Sequence, residues 1–221
     1  MTAGLLAGIT GLALLDSLNP ATILVVALVL LLPGRRPVAG ALAFVSGAFA
    51  TVLVLGTAVY LAAGAAADAS PDGLVWVRRV AFGLAALLVL VSAARRLRAR
   101  DRGAVELPSW FTPWTAFPLG VLVTGADLPN AFPYVIAIER LVAADVSTPT
   151  SLAVLVGYSV VYCLPCLVLL AVGRWRGERV RARLQPLYDR FGSAQHVPAS
   201  VPAAVGLAVV AGALLVVAGS A

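Results

Sequence analysis

The stretch Leu14-Leu15-Asp16-Ser17-Leu18-Asn19-Pro20 interrupts a run that is otherwise apolar from Ala3 to Leu32, and Asp16 is the only charge in that run. A second polar interruption, Thr124-Gly125-Ala126-Asp127-Leu128-Pro129-Asn130-Ala131-Phe132-Pro133, sits inside the apolar run from Phe111 to Ile138. Aligned on their aspartates, both read Asp-x-x-Asn. A lone carboxylate is expensive at membrane depth, so each points to a place where the chain meets protein or a wet cavity rather than lipid.

The runs that carry these knots are long enough to decide the fold class. Of the 221 residues, 61% are hydrophobic and 12% charged, with a mean hydropathy of +0.99. A soluble domain of this size leaves too much of its surface wet to hide so much apolar area. About 20 apolar residues cross a hydrocarbon layer of roughly 30 Å. On that rule six spans are expected, at about 3–32, 38–64, 74–94, 112–138, 150–173 and 199–219. They are too long and too uniformly apolar for barrel strands, which leaves helices as the structure that satisfies its own backbone in lipid. The expected fold is all-α and integral to the membrane.

The arginines orient it. All sixteen basic residues are Arg, and the formal charge is +6. Arg35 and Arg36 fall in the first loop and Arg95, Arg96, Arg98, Arg100 and Arg102 in the third. The fifth loop carries Arg174, Arg176, Arg179, Arg181, Arg183 and Arg190. With six spans these loops share one side, which the positive-inside rule makes cytoplasmic, so both termini are expected outside a bacterial inner membrane. Clustered between spans, these arginines suit anionic headgroups and give no reason to expect nucleic acid as a partner.

A repeat follows. Each Asp-x-x-Asn span is followed by two more, and Val80-Ala81-Phe82-Gly83-Leu84-Ala85 of the third span resembles Ala204-Val205-Gly206-Leu207-Ala208 of the sixth. Three spans is an odd number, so residues 1–103 and 104–221 would enter the membrane in opposite senses. This is the inverted-repeat plan of secondary transporters, whose site lies at the midplane between the halves.

Spans one and four should be broken. The first, at about 30 residues, would make a straight helix of about 45 Å, and Pro20 removes a backbone donor beside Asn19. The fourth holds Pro113, Pro118, Pro129 and Pro133, with Gly125 just before its Asp. Two readings of the aspartates stand side by side. Either each caps its own half-helix, or the pair lines a path and takes up protons, a cation or a polar substrate group. Asn19 and Asn130 would then offer a neutral donor and acceptor to the same site.

Other residues carry weaker signals. Arg78 and Arg79 would snorkel to headgroups or clamp a lipid phosphate with their guanidinium forks. Glu139 and Arg140, at the end of span four, would pair with each other. Cys163-Leu164-Pro165-Cys166 has redox spacing, but both thiols lie in one span and the expected role is packing near a proline kink. His196 has no second ligand at metal spacing. With no lysine there is no phosphate-loop ATPase. No cofactor, metal or catalytic residue is expected.

Leu15-Asp16-Ser17-Leu18-Asn19-Pro20-Ala21-Thr22, the second knot through Tyr134, and Gly157-Tyr158 with Pro165 together resemble the glycopeptidolipid-addressing (Sap-like) protein family of the lysine-exporter superfamily. The resemblance implies a six-span carrier, not an enzyme, that exports or flips envelope lipids or glycolipids in actinobacterium-like cells. Related branches move amino acids or metal ions, so a small-solute exporter is the alternative, and a membrane thiol-electron carrier a further one. Gly- and Ala-rich helix faces permit a homodimer or a partner from envelope biosynthesis.

Overall fold

In the computed structural model, residues 2–31, 37–70, 72–103, 110–127, 131–175, 186 and 195–219 are described. Pro129 and Asn130 of the second knot, Arg35 and Arg36, and the basic stretch from Arg176 to Arg190 apart from Pro186 lie outside them. Eight long helices follow in order: α1 (Ala3–Ser17), α2 (Pro20–Leu31), α3 (Pro37–Asp68), α4 (Gly73–Arg96), α5 (Pro113–Asp127), α6 (Phe132–Ala143), α7 (Thr148–Trp175) and α8 (Val201–Gly219).

Four of these, α3, α4, α7 and α8, are long and apolar enough to cross a membrane alone. The pairs α1–α2 and α5–α6 qualify when each is taken together, bent by 53° and 82°. The chain is therefore a multi-pass helical protein with four to six candidate spans, in keeping with the composition. At 1.5 Å per residue the 32 residues of α3 reach about 48 Å, well beyond a hydrocarbon core.

One feature departs from an all-α chain. Arg100–Arg102 (β1) pairs antiparallel with Gln195–Val197 (β2), with Asp101 opposite His196. The ladder continues into a bond from the Ser200 N–H to the Arg96 carbonyl at 2.8 Å. It joins the end of α4 to the approach to α8. Three paired residues in polar connectors leave no trace in a hydropathy profile.

Packing divides the helices into two groups. The main core collects side chains from α1, α2, α3, α5, α6 and α7, around Phe44, Val26, Leu141 and Leu155. A second cluster, Phe82, Ala85, Ala86 and Val89 of α4 with Ala211 and Leu214 of α8, meets the first through Phe132 and Ile136 of α6. Helices α3 and α5 cross closely because both are bare at the crossing. A Cβ on Gly47 would fall on the Phe117 carbonyl, and one on Gly120 on the Phe44 carbonyl. Small residues that let backbones touch are what hold helices together where solvent supplies no hydrophobic drive.

Candidate functional site

The break between α1 and α2 is built locally. Ser17 Oγ donates back to the Leu14 carbonyl at 2.7 Å, and the Leu18 N–H turns back to Leu15. Asn19 then starts the next helix. Its Oδ1 accepts from the Ala21 N–H at 2.9 Å, its carbonyl accepts from Thr22 Oγ1 at 3.2 Å, and Pro20 takes the first helical position. An Asx cap followed by proline is a strong helix start, because proline lacks only a donor that would have been orphaned there. Asn19, rather than Asp16, is the residue that caps.

The same Asn19 reaches across the molecule. Its Nδ2 donates to Asp127 Oδ2 at the end of α5 and to Tyr162 Oη of α7 at 3.2 Å. One amide thus spends its oxygen on its own helix and its nitrogen on the other knot. Asp16 is engaged separately, accepting from Tyr158 Oη at 3.1 Å. Asp16 and Asp127 are both half-buried and within electrostatic reach of one another, and Tyr162 is within reach of both. Asp16, Asn19 and Asp127 thus come together. Of the helix-breaking residues, Pro20 opens α2, Gly125 lies in the last turn of α5 and Pro133 in the first turn of α6.

Three tyrosines complete the cluster, and none was singled out as a site residue from the sequence. Tyr158 and Tyr162 stand one turn apart on α7, the spacing that puts two side chains on one helix face. Tyr134 stacks on Tyr158, with ring centroids 4.5 Å apart and planes tilted by 35°. Its hydroxyl donates to the Val52 carbonyl at 2.9 Å. Gly56 makes that possible, since a Cβ there would fall on the Tyr134 hydroxyl. The i, i+4 tyrosine pair was the available signal.

A cleft leads to this cluster. Between α1 and α7 lies a groove of about 330 Å³, walled by Leu6, Ile9 and Ala13 on one side and Val154, Gly157 and Val161 on the other, with Tyr158 also in its lining. Its walls are mostly apolar, with Thr10, Thr150 and Tyr158 as polar lining residues, and Tyr158 donates to Asp16.

A family model described as Sap, sulfolipid-1-addressing protein, matches residues 9–220. The chain belongs to this family. The expected resemblance to lipid-addressing proteins is thereby borne out over nearly the whole chain, and it marks a membrane protein associated with lipid addressing. No curated protein and no solved structure matches.

In this Sap-family chain the remaining sequence candidates fall as follows. Arg78 Nε lies 4.0 Å from Glu139 Oε1. Arg140 Nε lies 3.6 Å from Glu139 Oε2, so Glu139, only 4% exposed, sits between two guanidinium groups rather than one. Arg79 stands over the Trp76 ring at 6.0 Å, the outer limit for a cation–π contact. Cys163 and Cys166 are reduced and buried, with Cys163 Sγ turned toward the Val45 carbonyl at 3.9 Å.

Proposed function

We propose that the protein is a carrier that exports or flips an envelope lipid or glycolipid across a bacterial inner membrane by alternating access, with Asp16, Asn19, Asp127 and Asn130 forming its polar centre. The observation that supports this best is the apolar α1/α7 groove ending on Tyr158, whose hydroxyl holds Asp16. A small-solute exporter needs a sealed polar pocket. An amphiphile needs what is seen here, an open, mostly apolar trough with a few polar side chains in its lining. The family name, sulfolipid-1-addressing, points to a lipid of the same broad class. Arg78 and Arg79 are proposed as contacts for a phosphate or sulfate on its headgroup.

The inverted repeat, residues 1–103 against 104–221, belongs to this reading. The helix pairings support it: α3 packs on α5 and α6, as α7 packs on α1 and α2, while α3·α7 and α4·α8 pair across the halves. Cytoplasmic arginine loops and external termini complete the arrangement, and uptake of a proton by the carboxylate pair would supply the energy.

Proteoliposomes carrying fluorescent phospholipid and glycolipid probes, with and without a proton gradient, test the proposal. Asp16→Asn and Asp127→Asn should each abolish probe movement. Gly157→Leu should block it by filling the groove, where a Cβ meets no neighbour. Full movement in both Asn variants, with the fold intact, refutes the mechanism. Small-solute export by the parent protein with no lipid movement favours the alternative cargo.

A further inference from the structure

Helix α1 borders a second groove on an adjacent face, with Ile9 common to both. Gly4, Leu5, Gly8 and Leu12 of α1 face Ile136 and Arg140 of α6 across a trough of about 420 Å³. Every lining residue named is apolar or glycine except Arg140. The trough is open because Gly4 and Gly8 have no side chain, and a Cβ at either would meet nothing within 4 Å. Arg140 is one residue from Glu139, so the same turn of α6 presents a buried carboxylate toward α4 and a guanidinium toward α1.

The charges there do not balance. Arg78 and Arg140 share the single carboxylate of Glu139, at 4.0 and 3.6 Å, both longer than a hydrogen bond. Neither Arg78 Nε nor Glu139 Oε2, both buried, has a hydrogen-bond partner. The ion pair engages Arg140 through Nε, while its side chain remains 56% exposed. A guanidinium fork offers five donors in one plane, a shape that matches the oxygens of phosphate or sulfate. A surplus of positive charge thus stands in the lining of an apolar trough.

We propose that the α1/α6 trough is a binding site for an anionic lipid, with one acyl chain along Gly4, Gly8 and Leu12 and the headgroup phosphate or sulfate on Arg140. The inference takes up the headgroup contact proposed for Arg78 and Arg79 and centres it on a different arginine and a defined chain-binding surface. It does not depend on transport, since apart from Ile9, which lines both, the trough and the α1/α7 groove use different residues of α1. Glu139 is the competitor: an arriving headgroup replaces a loose ion pair with a direct one.

The test uses the full chain in detergent, titrated with phosphatidylglycerol or phosphatidylcholine and read by native mass spectrometry. The parent protein should retain phosphatidylglycerol about tenfold better than phosphatidylcholine. Arg140→Gln should erase that preference and Arg140→Lys should keep part of it. Glu139→Gln, which removes the competitor, should strengthen phosphatidylglycerol retention severalfold, an effect that a purely structural role for Glu139 would not give. Gly8→Leu should weaken both lipids, and because the readout is equilibrium retention rather than probe movement, the result separates this site from the carrier mechanism. A preference that survives Arg140→Gln in a protein that melts normally overturns the proposal. So does competition by millimolar inorganic phosphate alone, which would make this a free-anion site.

Discussion

Gly56→Ala is a one-carbon change with a large expected effect, because the added Cβ would occupy the place of the Tyr134 hydroxyl. Tyr134 must then leave its pocket. It loses its hydrogen bond to the Val52 carbonyl, 2.9 Å long and buried, and stranding that hydroxyl costs about 1–3 kcal/mol. It also loses the stacked contact with Tyr158, a further ~0.5–1.5 kcal/mol. The two together come to about 1.5–4.5 kcal/mol, or roughly 3–18 °C of melting temperature at the scale of a soluble domain of this size. The assay is thermal unfolding of the purified protein in detergent, run as a double-mutant cycle. Tyr134→Ala alone should destabilise. Gly56→Ala added to it should cost almost nothing more, because the clash has been removed. If Gly56→Ala is neutral alone, or if the two effects simply add, the tight fit of α3 against α6 is wrong.

At the α3/α5 crossing, Gly47→Ala and Gly120→Ala should each destabilise by about 1–3 kcal/mol through overpacking onto a carbonyl, whereas Gly8→Ala should be near neutral by the same melting assay. Tyr158→Phe keeps the ring stack but removes the donor that Asp16 receives at 3.1 Å; hydrogen bonds to charged groups are worth about 1.5–3 kcal/mol, so lipid-probe movement in proteoliposomes should fall by about tenfold or more, with the helical circular-dichroism spectrum unchanged. Replacing Cys163 and Cys166 together by Ser should leave probe movement within about twofold, since both thiols are buried in packing contacts; full loss in a folded protein would make thiol chemistry part of the function.

The helices were legible because a membrane demands long apolar runs, and nothing else in a chain of 221 residues imitates them. Asp16 and Asp127 were legible for the converse reason, as charges where charges are costly. The way the two knots engage was not. Read as matched motifs, Asp16-x-x-Asn19 and Asp127-x-x-Asn130 suggest two acids side by side, whereas Asn19 is the link to Asp127 and Asp16 goes to Tyr158 on α7. A tyrosine in an apolar helix looks like any other core residue until its hydroxyl finds a partner from distant sequence. Along the chain the visible partner of Glu139 is its neighbour Arg140, while Arg78 arrives from another helix.

The short ladder between Arg100–Arg102 and Gln195–Val197 fixes two points of the backbone that lie far apart along the chain. Everything threaded from one to the other, α5, α6 and α7, hangs as a loop fastened at both ends to the α4–α8 pair. Any shift of those three helices relative to that pair would have to strain the ladder or leave its two strands joined.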